Sequence, residues 1–517
     1  MPSTANRIAK NTSFLYIKMG ITVLISLYST RLVLNALGAS DFGIFNVVGG
    51  AIAMLAFLNG AMSSTTQRFM SYSEGEGILE AKKETFNSAV FLHLCIALVL
   101  GLFLFLIKPL VFDHMLRIES SKMVDAEWIY NFMIISTLFT VINVPYSAVI
   151  NSHENMLYYS IIGIVESVLK LLVALFISSS VGNKLIWYGL LMAAISATIA
   201  ICMFVYCKSQ YVECEFSPTK YLHKTRTKEM AGFAFWSFLG SSAGIISGYG
   251  NNIVLNHFFG TRLNAANGVC GQINGQLQAF SNNLIKAVNP VIVKSEGAHN
   301  RERLFKVTFS SCKISVLLYA VLAIPFIVDC PYILRIWLVN VPPYTLIFCQ
   351  LAVFQVIFEQ ISNPLGTVIG AVGKVRLYNI LDSIILYLCI IAVYVSFRLG
   401  GSAAFLPIIS LSTAFTLMIL NIIYSCSYCG MPVKRYLTDV FFRCMLIILV
   451  TFLGVYFFHG LMKESFLRLI MTVMVTFVIF IPLFYIVVLN SSEKDAAKGI
   501  LSNMRAKFLH KGKLPDK

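Results

Sequence analysis

The chain has 517 residues, 57% of them hydrophobic and only 12% charged, with a formal net charge of +16. A soluble protein carries about a quarter charged residues, so a water-soluble body is excluded and lipid is the solvent for most of the surface. Backbone groups in lipid must bond within their own segment, which makes helices of about 20 apolar residues the spanning unit.

Fourteen segments qualify, near 12–35, 42–66, 86–112, 126–151, 157–180, 185–207, 228–256, 267–293, 307–328, 343–371, 375–397, 403–426, 438–459 and 465–489. The first follows Arg7 and Lys10, but its length and the lack of a small-residue cleavage site make it a span rather than a signal peptide. It carries Lys18 and Arg31, and the second carries Asn46, Asn59, Ser63 and Gln67. The fifth holds Glu166 and Lys170, four residues apart on one helix face in the favourable order for a pair. The seventh has a row of small residues, Gly240, Gly244 and Gly248, followed by Gly250-Asn251-Asn252. Such rows permit close helix approach. The eighth is the least apolar: Gln278, Asn282, Lys286 and Asn289 share one face, extended by Gly271 and Asn274. Glu359 lies in the tenth span and Asp382 in the eleventh. Charge at membrane depth is costly, so each of these groups is expected to face a partner or a wet cavity or, near a helix end as Arg31 is, to snorkel to the interface. The run of amides and cations suits a ligand with many hydroxyls and an anionic phosphate.

The chain repeats itself. LVLN at 32–35 returns as IVLN at 253–256. Gly38, Gly49 and Ser73-Glu74-Gly75 return 222 positions later as Gly260, Gly271 and Ser295-Glu296-Gly297. Pro145, Val149, Ile150, Tyr159 and Ile161 return 219 positions later as Pro364, Val368, Ile369, Tyr378 and Ile380. The fold class that follows is an all-α polytopic membrane protein with two pseudo-symmetric six-helix lobes in parallel repeat. The expected division is an N-terminal lobe over 1–207, a basic linker over 208–227, a C-terminal lobe over 228–426, two additional spans over 427–490 and a basic tail over 491–517. The tail places Ile500, Leu501, Met504 and Phe508 among Lys and Arg, a pattern suited to an anionic membrane surface.

Lys and Arg concentrate in the linker, around 301–306 and in the tail. The positive-inside rule then puts both termini on the cytoplasmic side. The net charge is accounted for by topology and contact with anionic lipids, with no role for nucleic acid. The twelve Cys are scattered, and the lone C-x-x-C at Cys426 and Cys429 has neither a second pair nor a nearby His, so no metal centre is expected. No nucleotide, cofactor or nucleophile motif appears, and no loop is long enough for a catalytic domain, so the chain is not read as an enzyme.

The stretch Tyr28-Ser-Thr-Arg31-Leu-Val-Leu-Asn-Ala-Leu-Gly38-Ala-Ser-Asp41-Phe-Gly43 resembles the first helix and first loop of bacterial polysaccharide flippases. These are the O-antigen and capsule repeat-unit translocases of the multidrug/oligosaccharidyl-lipid/polysaccharide exporter superfamily. The resemblance implies a V-shaped pair of lobes around a cationic cavity in the inner membrane. The implied substrate is an undecaprenyl-diphosphate-linked oligosaccharide moved to the periplasmic leaflet, with polysaccharide assembly proteins as further partners. Arg31 and Asp41 match positions that related lipid II flippases use; a second arginine of that subfamily has no counterpart, and Arg68 sits at the cytoplasmic end of that region. On this reading Lys18, Arg31, Asn46, Asn252, Asn274, Gln278, Asn282 and Lys286 line the substrate cavity. Asp41, Glu166, Lys170, Glu359 and Asp382 are coupling or structural charges. The alternatives are a cation-coupled multidrug exporter of the same superfamily and a polysaccharide polymerase or ligase.

Overall fold

Two glycines lay out the chain in the computed structural model, which describes residues 4–53, 56–115, 118–338, 341–491 and 493–495. Side chains at 4–5, 39–40, 46–47, 50–53, 56–59, 114–115, 120 and 261 are outside the described set, so Asn46 and Asn59 have no described surroundings, and residues 496–517 of the tail lie outside it altogether. The helix Thr4–Ala53 breaks at Gly38, where φ is 78° and ψ is 168°. Its repeat mate Gly260, with φ 77° and ψ −176°, joins Lys224–Phe259 to Thr261–Gly297. Glycine takes this left-handed conformation without strain, so each lobe turns its first span into its second with no loop.

Fourteen long helices result: α1 (Asn6–Gly38), α2 (39–53 and Ala56–Glu76), α3 (Leu79–Asp113), α4 (Met123–Ser152), α5 (Met156–Ser179), α6 (Lys184–Gln210), α7 (Lys224–Phe259), α8 (Thr261–Gly297), α9 (Arg301–Val328), α10 (Thr345–Val372), α11 (Val375–Arg398), α12 (Phe405–Cys429), α13 (Val433–Gly460) and α14 (Phe466–Val488). Twelve are apolar enough to cross a membrane by composition alone. The exceptions among the described residues, α2 and α8, pack between the lobes, and α8 leaves Gln272, Gln276 and Asn282 exposed there.

The repeat extends to packing. α1 lies on α5, α2 and α3 lie on α4, and α4 lies on α6; α7 on α11, α8 and α9 on α10, and α10 on α12 reproduce these pairings. Pro145 in α4 and its mate Pro364 in α10 both sit inside their helices. Each lobe keeps its own core, one including Phe86, Ile129, Tyr130 and Ile177, the other Tyr319, Phe348, Val353 and Ile361. Lipid is as apolar as these side chains, so close packing rather than escape from water holds each lobe together.

The last two helices join the second core and are fastened to α9 at both ends. Asp329, fully buried, accepts from Nε and Nη2 of Arg468 at 3.0 and 2.8 Å and lies 3.2 Å from His459 Nε2. At the other end Lys313, 1% exposed, meets Glu493 at 3.1 Å and donates to the Val488 carbonyl at 3.2 Å.

Candidate functional site: the inter-lobe gate and a cation pair above it

All described hydrogen bonds, ion pairs and ring contacts that join the lobes fall in the half of the molecule carrying residue 6 and the linker. α2 runs against α8 there, and α1 against α8 mirrors α2 against α7. Gly75 and Gly297 bring the ends of α2 and α8 into backbone contact. Lys294 of α8 crosses to Glu154 at 3.2 Å and to Glu74 at 3.8 Å, while Arg7 holds Glu154 at 2.8 Å and Lys82 holds Glu74 at 2.6 Å. His153 stacks on Tyr211 at 4.3 Å and bonds Glu213 at 2.5 Å. Burial raises the Glu213 carboxyl, but the His153 bond, the residue's own backbone N–H and the nearby Lys82 outweigh it, so its pKa lies below the usual carboxylate value. Glu74, His153 and Glu213 have ligand atoms within 4.8 Å of one another, as a metal site would. Two ammonium groups already sit on Glu74, so the charge a metal would bring is in place and the set reads as an ion network.

One to two turns above this gate, three elements converge. On α5, Tyr159, Gly163, Glu166 and Lys170 recur at helical spacing and share a face. The Tyr159 hydroxyl accepts a 2.5 Å hydrogen bond from Lys286 of α8. Lys286 and Lys18 of α1 each place Nζ 4.3 Å from the centre of the Tyr159 ring. A side chain at Gly163 would meet the Lys18 chain at 2.2 Å, so the glycine leaves the space that Lys18 uses. Glu166 pairs with Lys170 at 2.6 Å within its own helix. Thus two cations, one from each lobe, meet on one aromatic ring, with no carboxylate among the described residues bonded to either.

The remaining predicted residues divide. Gln278 is half-buried and Asn282 exposed, with no described hydrogen bond to either, on the α8 face that leads away from Lys286. Asn274 instead turns into the second core, buried and accepting from the Tyr319 hydroxyl at 3.2 Å. Asn289 accepts from Thr367 at 3.0 Å. Asn252 accepts from Asn267 at 2.7 Å, tying α7 to α8 beside Gly260. Arg31 is exposed and has no hydrogen bond or ion pair among the described residues. Asp41 pairs with Lys122 at 2.9 Å just beyond the Gly38 break. That bond raises the Lys122 pKa. Glu359 accepts from Gln355 at 2.8 Å, one turn away on α10, and Asp382 is half-buried on α11. Sequence reasoning passed over Tyr159 and Lys294. Tyr159 stood out only as a repeat position; its mate Tyr378 bonds Asn421 at 2.8 Å within its own lobe, so the pairing with Lys286 belongs to one lobe alone.

Two parallel six-helix lobes that meet along α1, α2, α7 and α8 give the chain a fold similar to that of solved membrane transporters. A MOP superfamily transporter from Pyrococcus furiosus Vc1 superposes with a TM-score of 0.67 at 12% identity, covering 84% of this chain and 96% of that one. An outward-facing multidrug resistance MATE family transporter of the same superfamily gives 0.66 at 14%, covering 84% and 96%. A MATE crystal structure in the bent conformation gives 0.71 at 13%, covering 83% and 95%. At these identities the likeness is one of fold. Residues 8–296 match the model of the polysaccharide biosynthesis protein family, and the chain belongs to that family. No curated protein matches it.

Proposed function

We propose that this protein flips undecaprenyl-diphosphate-linked oligosaccharide units across the bacterial inner membrane, from the cytoplasmic to the periplasmic leaflet, by alternating access. The observation that carries the reading is the meeting of Lys18 and Lys286 on Tyr159, between the lobes. Fixed cations with no bonded acid among the described residues replace the water that a diphosphate loses on leaving the headgroup region. Membership of a polysaccharide biosynthesis family supports a glycan cargo over a drug.

In this account both termini are cytoplasmic, as the basic loops favour, and the gate of α2 against α8 closes the cytoplasmic side. The conformation is therefore open outward. The diphosphate rests on Lys18 and Lys286, and Arg31, farther along α1, takes it over toward the periplasmic mouth. Gln278 and Asn282 meet glycan hydroxyls. The polyprenyl chain stays in lipid, beside exposed apolar residues of α1 such as Leu24 and Leu27. Glu166 is bonded by Lys170 and is thereby kept from competing for the two lysines.

The test is genetic. In cells with no other flippase, loss of this protein is expected to abolish surface polymer and to raise the lipid-linked intermediate facing the cytoplasm. Unchanged surface polymer with no intermediate build-up would reject the assignment.

A further inference from the structure

On the gate's lateral side a crevice of about 990 Å³ lies between the end of α2, the start of α7 and the α10–α11 junction. Both lobes build it, and its charge is lopsided. Five cations line it: Arg68, Arg226, Lys228, Lys374 and Arg376. Only Glu76 and Glu229 oppose them, and of the five only Arg226 forms a described ion pair, a loose one at 3.7 Å to Glu229.

Three of the other four rest on rings, and Lys228 is exposed. Arg376 lies over Trp236 at 4.9 Å and Lys374 over Tyr428 at 5.5 Å. Arg68 sits among Phe69, Tyr72 and Phe233 at 4.5–5.4 Å and donates to the Gly370 and Ala371 carbonyls at 3.1 and 2.8 Å. It thereby caps the last turn of α10, where the helix dipole favours a cation. Arg68 is thus committed to holding the lobes together, whereas exposed Lys374 and Arg376 keep their donors free for a ligand. Aromatic faces position a cation without neutralising it.

The crevice opens where α7 and α11 begin, at the ends of these spanning helices; exposed Leu377 lines it, and exposed Phe235 packs on the lining residue Trp236. We infer that it is a binding site for the phosphate of an anionic phospholipid, whose acyl chains lie along these apolar residues while the headgroup meets Lys374, Arg376 and Lys228. Basic pockets between spanning helices on a basic face are suited to such headgroups. α2 supplies one wall and α7, α10 and α11 the others, and the three cations that meet the headgroup all stand on the second lobe. This inference does not depend on which cargo is flipped.

The full-length protein in phosphatidylcholine nanodiscs with graded phosphatidylglycerol provides the test, with retained lipid counted by native mass spectrometry. The variant K374Q/R376Q is expected to need about tenfold more phosphatidylglycerol for half-occupancy, and K228Q alone to move the same way by less. K306Q/K434Q removes two exposed cations from the same face outside the crevice and is expected to leave occupancy within about twofold. Equal losses in the two double variants would mean diffuse surface attraction and overturn the site, as would no loss in K374Q/R376Q and K228Q. Inorganic diphosphate is the soluble probe: binding of it to the crevice without any preference for phosphatidylglycerol would overturn the lipid assignment.

Discussion

Gly75 and Gly297 are repeat mates, and each occupies the space against the other lobe's backbone that a side chain would need. A Cβ on Gly75 would lie 2.3 Å from the Lys294 carbonyl oxygen, and one on Gly297 would lie 2.2 Å from the Tyr72 carbonyl oxygen. Tyr72 and Lys294 are themselves 222 positions apart, so the contact is the same on both sides of a pseudo-twofold axis. The Ser-Glu-Gly triplet is repeated because close approach of two backbones is needed twice at one place.

Neither carbonyl can swing away as a side chain would, so G75A/G297A must part α2 and α8. The expected outcome is a shift away from the closed gate. On a Cys-depleted background carrying S295C, the buried position should become at least about tenfold more reactive from the basic side, a change of about 1.4 kcal/mol in the gate equilibrium. Unchanged reactivity would show that these glycines do not set closure.

Y159F removes the hydroxyl that Lys286 bonds but keeps the ring. A hydrogen bond to a charged group contributes about 1.5–3 kcal/mol, so flipping should fall by roughly tenfold or more with normal insertion. K286M should be worse, because it removes the charge as well. Rates within a factor of about two of wild type in Y159F would place the cation pair outside the transport path.

Arg31 tests the upper part of that path. R31A should lower surface polymer while the lipid-linked intermediate accumulates. R31K should recover little, because the planar guanidinium holds a diphosphate through two parallel bonds that an ammonium cannot reproduce. Normal polymer in R31A, with no second flippase present, removes Arg31 from the mechanism.

Much of the architecture was legible in the sequence because lipid imposes strict rules. A long helix stands at each of the fourteen predicted segments, twelve of them apolar enough to span among the described residues, and the repeat pointed to α8 where composition did not. The site was less legible. The face holding Gln278, Asn282 and Lys286 follows from helical spacing, yet the same spacing also selects Asn274, which turns into the second lobe to meet Tyr319. Periodicity fixes the direction of a side chain around its own helix and says nothing about which neighbour stands there. Tyr159 and Lys286 are 127 positions apart, and no local pattern announces their bond.

The fastening of α13 and α14 should matter for stability rather than transport. R468M leaves Asp329 buried and without its guanidinium, which should cost about 3–5 kcal/mol. Thermal unfolding in detergent should show it, and D329L/R468M should recover part of the loss. A wild-type midpoint in R468M would mean that the pair does not hold the helix.

Glu213 gives a pH dependence of known sign. Its carboxyl has a lower pKa folded than unfolded. The stability it contributes is therefore present above the unfolded value and is lost as pH falls through the folded value. Unfolding midpoints between pH 7 and pH 3 should decline at the acid end in wild type and less steeply in E213Q. An identical acid limb in both would contradict the role given to the His153 bond.

The most direct measurement is flipping itself. The purified protein would be reconstituted into liposomes containing an undecaprenyl-diphosphate oligosaccharide with a fluorescent sugar, and the label reachable by an external quencher followed with time. The account predicts protein-dependent movement of the label between leaflets that K286M and Y159F slow and the exposed-surface variant K306Q does not. Leaflet exchange no faster than in protein-free liposomes, from protein shown to be folded, would contradict it.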